Sequence, residues 1–204
     1  MKRKKILGLI LALVCLAAVM MAGCESKPLI SRENTELMSG KHHAEINIEN
    51  YGTISLELDA DEAPLTVTNF VNLANEGFYD GTKIHRVVED FIIQGGDPTG
   101  TGGGGSGSDL EGEFSSNGIE NNLSHTRGAI SMARSQSYYN GASSQFFIVD
   151  KDSTDLDGDY ACFGYVMDGM DIVDEICNNT PVQDNNGTVA MKDRAVVESI
   201  KIID

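Results

Sequence analysis

The stretch His85–Gly105, H-R-V-V-E-D-F-I-I-Q-G-G-D-P-T-G-T-G-G-G-G, constrains this chain more than any other. Its first half carries Val87, Val88, Phe91, Ile92 and Ile93, the β-branched and aromatic bulk of a strand. Its second half is a glycine run too flexible to serve as a core element. Arg86 and Gln94 are set among the apolar residues. That pattern suggests a guanidinium fixed over an apolar pocket, beside backbone that a ligand can approach closely. Taken alone, the stretch also fits an ordinary strand and loop.

The first 23 residues stand apart from the fold. Lys2-Arg3-Lys4-Lys5 precede an apolar run of 17 residues, Ile6 to Ala22, short for a membrane span and suited to a secretory signal. Met21-Ala22-Gly23-Cys24 resembles a bacterial lipobox, after which Cys24 would become the lipid-modified N-terminus. The alternative is an uncleaved anchor helix. Either way the remainder is expected outside the cytoplasm, tethered to the outer face of the cell membrane. Residues 24–40 are polar and without periodicity, and read as the lipid-bearing cysteine plus a spacer.

Charge narrows the partners. The chain carries net charge -16; removing the four Lys/Arg of residues 1–23 leaves 11 bases against 31 acids, or -20. So acidic a surface repels nucleic acid and anionic head groups, which argues against a nucleic-acid role. Cys162 and Cys177 are the only cysteines beyond Cys24. They read as buried thiols, with a disulfide as the alternative that export permits.

Residues 41–204 are enough for one domain with a substantial core. Ala44, Ile46, Ile48 and Ile54, Leu56, Leu58 alternate with polar residues about an Asn50-Tyr51-Gly52 turn, predicting a hairpin. Pro64 opens a helix behind Asp61 and Glu62, with Val67, Phe70, Val71 and Ala74 on one stripe and Gly77 as its stop. Residues 106–127 read as loop. Strands are expected at 128–134, 143–149, 161–167 and 195–203, with a second short helix over Met170, Val173, Ile176 and Cys177. Many short strands with two helices imply a mainly β protein whose antiparallel sheet closes on itself.

Several strings together then resemble a known family. Lys83-Ile-His-Arg-Val, Phe91-Ile-Ile-Gln-Gly-Gly-Asp-Pro-Thr-Gly-Thr-Gly, Gly128-Ala-Ile-Ser-Met-Ala, Ser144-Gln-Phe-Phe-Ile, Leu156-Asp-Gly and Phe163-Gly164 follow the order and spacing of cyclophilin-type peptidyl-prolyl cis-trans isomerases. The resemblance spans residues 41–204. It implies a closed eight-stranded antiparallel β-barrel capped by two α-helices, with the active face on the outer wall. It also implies proline-containing polypeptides as substrates, with no cofactor or metal; nothing in the sequence suggests more than a monomer.

The residues agree with that chemistry. Rotation about a peptide bond costs about 18–20 kcal/mol because the nitrogen lone pair is delocalised. Before proline the two isomers are close in energy but exchange over tens to hundreds of seconds. A catalyst must stabilise a twisted state whose nitrogen has become pyramidal and basic, and a permanently charged guanidinium can donate to it. By resemblance Arg86 is the catalytic donor and Gln94 orients it. Phe91, Ile92, Phe147 and Leu156 match the proline pocket. Gly100, Ala133 and Gln145 match positions that contact the substrate backbone and the residues before proline. His85 and His125 read as structural.

The chain departs from the best-known members at four places. Arg134 stands where they carry Asn, Ile92 where they carry Met, Asp155 where they carry Trp, and Tyr160 where they carry His. Ile92 keeps apolar volume. Tyr160 can still close the pocket, and the Arg134 contact can be made by main chain. Asp155 removes a large apolar wall, so isomerase activity with weak cyclosporin binding is expected. The acid-rich run Asp150–Asp159 lacks the bidentate Glu of an EF-hand, and the glycine run lacks the Lys-Ser/Thr of a phosphate loop. The rival reading is a proline-peptide-binding chaperone module with little turnover.

Overall fold

The computed structural model describes residues 27–204. The signal sequence and Cys24 lie outside the described residues. Ten strands form in chain order: β1 (Leu29–Ile30), β2 (Lys41–Ile48), β3 (Gly52–Asp59), β4 (Arg86–Val88), β5 (Ile92–Gly95), β6 (Asp109–Leu110), β7 (Ala129–Arg134), β8 (Ala142–Val149), β9 (Cys162–Asp168) and β10 (Val197–Ile202). Among the described residues two helices accompany them, α1 (Pro64–Asn75) and α2 (Met170–Asn179).

Eight of the strands run β10–β2–β3–β9–β7–β8–β5–β4, every neighbouring pair antiparallel. The two ends of this sheet meet. Gly81 and Ile84 donate backbone N–H groups to the carbonyls of Val197 and Ala195, and Val197 donates to Thr82. The expected closed, mainly β architecture with two helices is therefore present. Inside it, Ile46, Ile54, Leu56, Leu58, Ile93, Phe146, Ile148 and Phe163 form one continuous core. Phe70 of α1 packs its ring against Tyr79, Phe146 and Phe163 at centroid distances of 5.2–5.8 Å.

Helix α1 begins at Pro64 and ends as expected. Gly77, at φ +68°, follows the last turn, its N–H donating to Ala74 and that of Phe78 to Leu73. The N-terminus differs from expectation. Asp61 accepts from the Gly40 N–H, and Glu62 accepts from Asn122. The carboxylate that meets the first turn is Glu113, from the stretch read as loop. It is fully buried and accepts from Leu65 N (3.0 Å), Thr66 N (2.7 Å) and Thr66 Oγ1 (2.7 Å). A helix N-terminus satisfied by a carboxylate 47 positions away cannot be read from local caps.

Two further expectations change. The strand-forming stretch Val87 to Ile93 is a hairpin, folded at Glu89–Asp90 where Asp90 takes φ +58° and Phe91 N donates to Val88 O. The spacer is shorter than 24–40: β1 pairs in parallel with β6, Leu37 and Met38 pack on the core, and Met38 N donates to Thr68. Residues 29–38 form a strap along the domain. Cys162 and Cys177 are both buried and unpaired, as free thiols.

Glu113→Ala would orphan two buried N–H groups and a hydroxyl at the start of α1. It is expected to lower stability by about 2–4 kcal/mol in urea unfolding, with the m-value unchanged.

Candidate active site

The site is one transverse row on the outer face of the sheet. Register places Arg86 of β4 opposite Gln94 of β5, Gln94 opposite Phe147 of β8, and Phe147 opposite Ser131 of β7. Because strand side chains alternate, the same rows send Ile93, Phe146 and Ile148 into the core and Ile92, Phe147 and Val149 outward. The outward set is not bare. Ile92, Ala129, Phe147, Val149 and Cys162 form a second buried cluster, joined by Phe91, Ala133, Leu156 and Tyr160.

That layer contains a hollow of about 330 Å³. Phe91, Ile92, Phe147, Leu156 and Tyr160 make its apolar walls, and Arg86, Gln94, Ala133, Arg134 and Gln136 its rim. Phe147 is held from two sides. His125 stacks on it (5.9 Å, 18°), and Tyr160 meets it edge-on (5.8 Å, 85°). His125 is itself fixed by Asp157 (2.7 Å) and Ser131 (3.0 Å), and burial lowers its pKa. His85 is also buried, and burial lowers its pKa too. Neither side chain lines the hollow, in keeping with a structural role.

Arg86 is held at two points. Its Nε donates to the Asn186 carbonyl (2.7 Å) and its Nη1 to Gln94 Oε1 (3.2 Å), with the guanidinium 5.9 Å from the Phe91 ring centroid. Two of its five N–H groups are committed in this way. The remainder have no partner among the described residues. Asn186 was not singled out from sequence. It sits in the 183–188 turn, where Asp184 Oδ1 accepts from Asn186 N and Thr188 N. The signal for that turn, Asn186-Gly187 between Val182 and Val189, is visible in the sequence.

From Gln94 a relay continues into the glycine run. Gln94 Nε2 donates to Gln145 Oε1 (2.9 Å), and Gln145 Nε2 donates to the carbonyls of Gly102 (3.0 Å) and Gly104 (2.8 Å). The loop is pinned by Asp97, which is 1% exposed. Its carboxylate accepts from Thr99 N, Thr99 Oγ1, Gly102 N and Gly104 N at 2.7–3.1 Å. A Cβ on Gly104 would lie 2.1 Å from Asp97 Oδ1, so this position takes only glycine.

Ala133 sits at a register break between β7 and β8, a bulge that leaves it out of the ladder beside Arg134. The Arg134 guanidinium lies 4.8 Å from the Tyr160 ring centroid and 5.1 Å from those of Phe114 and Tyr139. Its Nε donates to Asp159 O and its Nη1 to Ser135 O. Across this rim opens a second groove of about 270 Å³, containing Gln145 and Gly102–Gly104. Of the expected catalytic and substrate-contacting residues, one does not join the others. Gly100 lies beyond the Asp97 turn, its carbonyl taken by Arg194 Nη1 (2.6 Å), and lines a separate depression with Pro98 and Met191. The part of the glycine run that faces the groove is Gly102–Gly104. Asp155 is exposed and lines neither hollow.

Burial alone would raise the Asp97 carboxyl; the hydrogen bonds from Thr99, Gly104 and Gly102 outweigh it and hold the pKa at about 2. A carboxyl depressed on folding contributes stability above its unfolded pKa and loses it as pH falls through the folded one. For Asp97 that window runs from about pH 4 down to about pH 2, and the contribution is about 2 kcal/mol. Asp97→Asn is expected to show this deficit near neutral pH and to lose it toward pH ~2, read by denaturant unfolding across pH.

Comparison with known proteins agrees with this geometry. Residues 43–203 match the family model described as cyclophilin type peptidyl-prolyl cis-trans isomerase/CLD. Peptidyl-prolyl cis-trans isomerase-like 1 of Rhizopus delemar is 48% identical over 123 residues, covering 60% of this chain and 72% of its own. The Helicobacter pylori peptidyl-prolyl cis-trans isomerase is 43% identical over 129 residues, covering 62% of this chain and 76% of its own. Among solved structures, a cyclophilin type peptidyl-prolyl cis-trans isomerase of Cryptosporidium parvum superimposes with a TM-score of 0.71 at 32% identity, over 81% of this chain and 99% of its own. The chain therefore belongs to the cyclophilin-type peptidyl-prolyl cis-trans isomerases.

Proposed function

We propose that this isomerase works as a lipid-anchored folding catalyst on the outer face of a bacterial cell membrane, turning X-Pro bonds in exported proteins. The observation that carries the catalytic reading is the doubly fixed Arg86 guanidinium at the rim of an apolar hollow. The proline ring enters between Phe91, Ile92, Phe147, Leu156 and Tyr160. Its nitrogen then lies under Arg86. As the amide twists, the nitrogen regains its lone pair and accepts a hydrogen bond from the guanidinium; the planar forms cannot accept it. The interaction is thus made in the transition state and not in either ground state. A dry hollow strengthens it, and a donor fixed beforehand spends nothing on reorganisation. Ala133 and the Arg134 backbone, beside the bulge, guide the substrate main chain, and Gln145 holds the loop that faces it.

A related Cryptosporidium parvum structure, 33% identical with a TM-score of 0.70, was solved in the presence of the dipeptide Ala-Pro. That fits a proline-sized hollow on this fold. With Asp155 exposed beside Leu156, no indole wall adjoins the hollow, so cyclosporin binding is weak. The membrane assignment rests on the basic n-region, the apolar run and the cysteine that follows it.

In a protease-coupled prolyl-peptide assay, Arg86→Ala is expected to lower kcat/KM by about 100-fold or more while far-UV circular dichroism is unchanged. Equal rates in wild type and variant would remove Arg86 from the mechanism. Expressed in a bacterial host, the full chain should partition into the detergent phase of a Triton X-114 extract. Labelled palmitate should be incorporated into the wild type and not into Cys24→Ala, and no incorporation in the wild type would sink the lipid anchor.

A further inference from the structure

The groove beside the proline hollow carries a charge opposite to that of the molecule around it. The chain has 31 acidic residues against 15 basic ones. Yet the groove is lined by Lys27 and Arg134, and among the described residues no Asp or Glu lines it. The remaining wall is uncharged, mostly glycine, serine and the glutamine pair already described.

Arg134 has no carboxylate partner among the described residues, and Lys27 has only a long, exposed one. Arg134 spends its hydrogen bonds on the backbone carbonyls of Asp159, Ser135 and Gln136 and on aromatic faces. It has no carboxylate within 4.0 Å among the described residues. Its position is fixed by neutral groups, so its charge is available to a ligand. Lys27 reaches Asp109 only at 3.8 Å and its side chain remains 55% exposed. Asp97, beneath the loop, is buried with its oxygens already accepting four donors.

Lys27 is there because of the strap. The parallel pairing of Leu29 with Asp109 and Ile30 with Leu110 fixes the chain direction, and Pro28 O accepts from Asp109 N (2.9 Å), which carries residue 27 to the groove mouth. Lys27 falls outside the 43–203 span of the family model. Gln94, Ala133 and Arg134 border both the groove and the hollow. A side chain in the groove is therefore within one to three residues of the proline, at about 3.3–3.6 Å per extended residue.

We propose that Lys27 and Arg134 form an acid-selecting subsite, so that this isomerase prefers prolyl segments bearing Asp or Glu within three residues of the proline. The preference rests on the isomerase reading of the adjoining hollow. Long-range repulsion from the rest of the surface is screened at physiological salt, whereas contact inside the groove is less so.

The test is a set of prolyl peptides with Glu, Ala or Lys placed in turn at each of the three positions on either side of the proline. The full-length protein is compared with Lys27→Gln and Lys27→Glu. At one position the wild type should favour Glu over Lys by about three- to ten-fold in kcat/KM, less at high salt. Lys27→Gln should shrink that ratio, and Lys27→Glu should shrink it further or invert it. A Glu/Lys ratio near one at every position, or a ratio unmoved in both variants, overturns the proposal. The Ala peptide keeps the two readings apart, since absence of turnover on it would count against the isomerase reading alone. In that event the same ratios are read from fluorescence-anisotropy binding of the labelled peptides, with the same criteria.

Discussion

The arrangement depends on a chain of hydrogen bonds that all point one way. Asp97 can only accept, so the N–H groups of Gly102 and Gly104 turn toward it. Their carbonyls then face Gln145 and demand its amide nitrogen. Gln145 is left presenting oxygen to Gln94, and Gln94 presents oxygen to Arg86. Each amide orientation follows from the previous one, and the series ends on the guanidinium. One buried carboxylate thereby sets the direction of the Arg86 guanidinium several residues away. A side-chain network satisfied throughout also rigidifies its surroundings, because each member has lost its alternatives.

The second requirement is an apolar layer outside a barrel whose core is inside. A proline ring needs a greasy hollow, yet outward-facing strand positions normally meet water. Here the outer face of β5, β7, β8 and β9 is covered by the 154–160 segment, so Phe147 and Ile92 are buried although they point away from the core. Tyr160 and Leu156 supply the cover and the far wall of the hollow at once. His125 supports Phe147 from the side and is in turn tied to Asp157, close to the same cover. The hollow is therefore assembled from a sheet face and a loop that hold each other in place.

This double covering explains what could be read from the sequence. β2 and β3, covered on one face, alternate cleanly, and the hairpin is legible from Ala44 to Leu58. Ser144-Gln-Phe-Phe-Ile-Val in β8 shows no alternation because both of its faces are buried, so its strand identity is clear but its inward and outward residues are not. The division of 85–93 into two strands hinges on Asp90 accepting a left-handed backbone, a choice that strand propensity does not register. Glu113 and Asn186 act across long sequence separations, on Thr66 and on Arg86, and no local pattern marks such partners. Gly100 was carried over by motif alignment. The register of a glycine run is weakly specified, and the loop that faces the groove lies two residues further on.

Chemistry and scaffold respond to acid in different ways. A guanidinium keeps its charge across the accessible range, so Arg86 in its proposed role adds no titratable step. Rotation about an amide consumes no proton, and the histidines near the site are buried and held toward their neutral form. Two carboxylates reach Arg86 through hydrogen bonds: Asp184, which holds the turn bearing the Asn186 carbonyl, and, at the opposite end of the relay, Asp97. Protonating Asp97 replaces one acceptor with a donor, and the glycine N–H groups lose a partner. The loop would then release Gln145, and Gln94 would be free to rotate. With Arg86 as the proposed donor, an acid limb of activity would therefore belong to the loss of orientation and not to the loss of its charge.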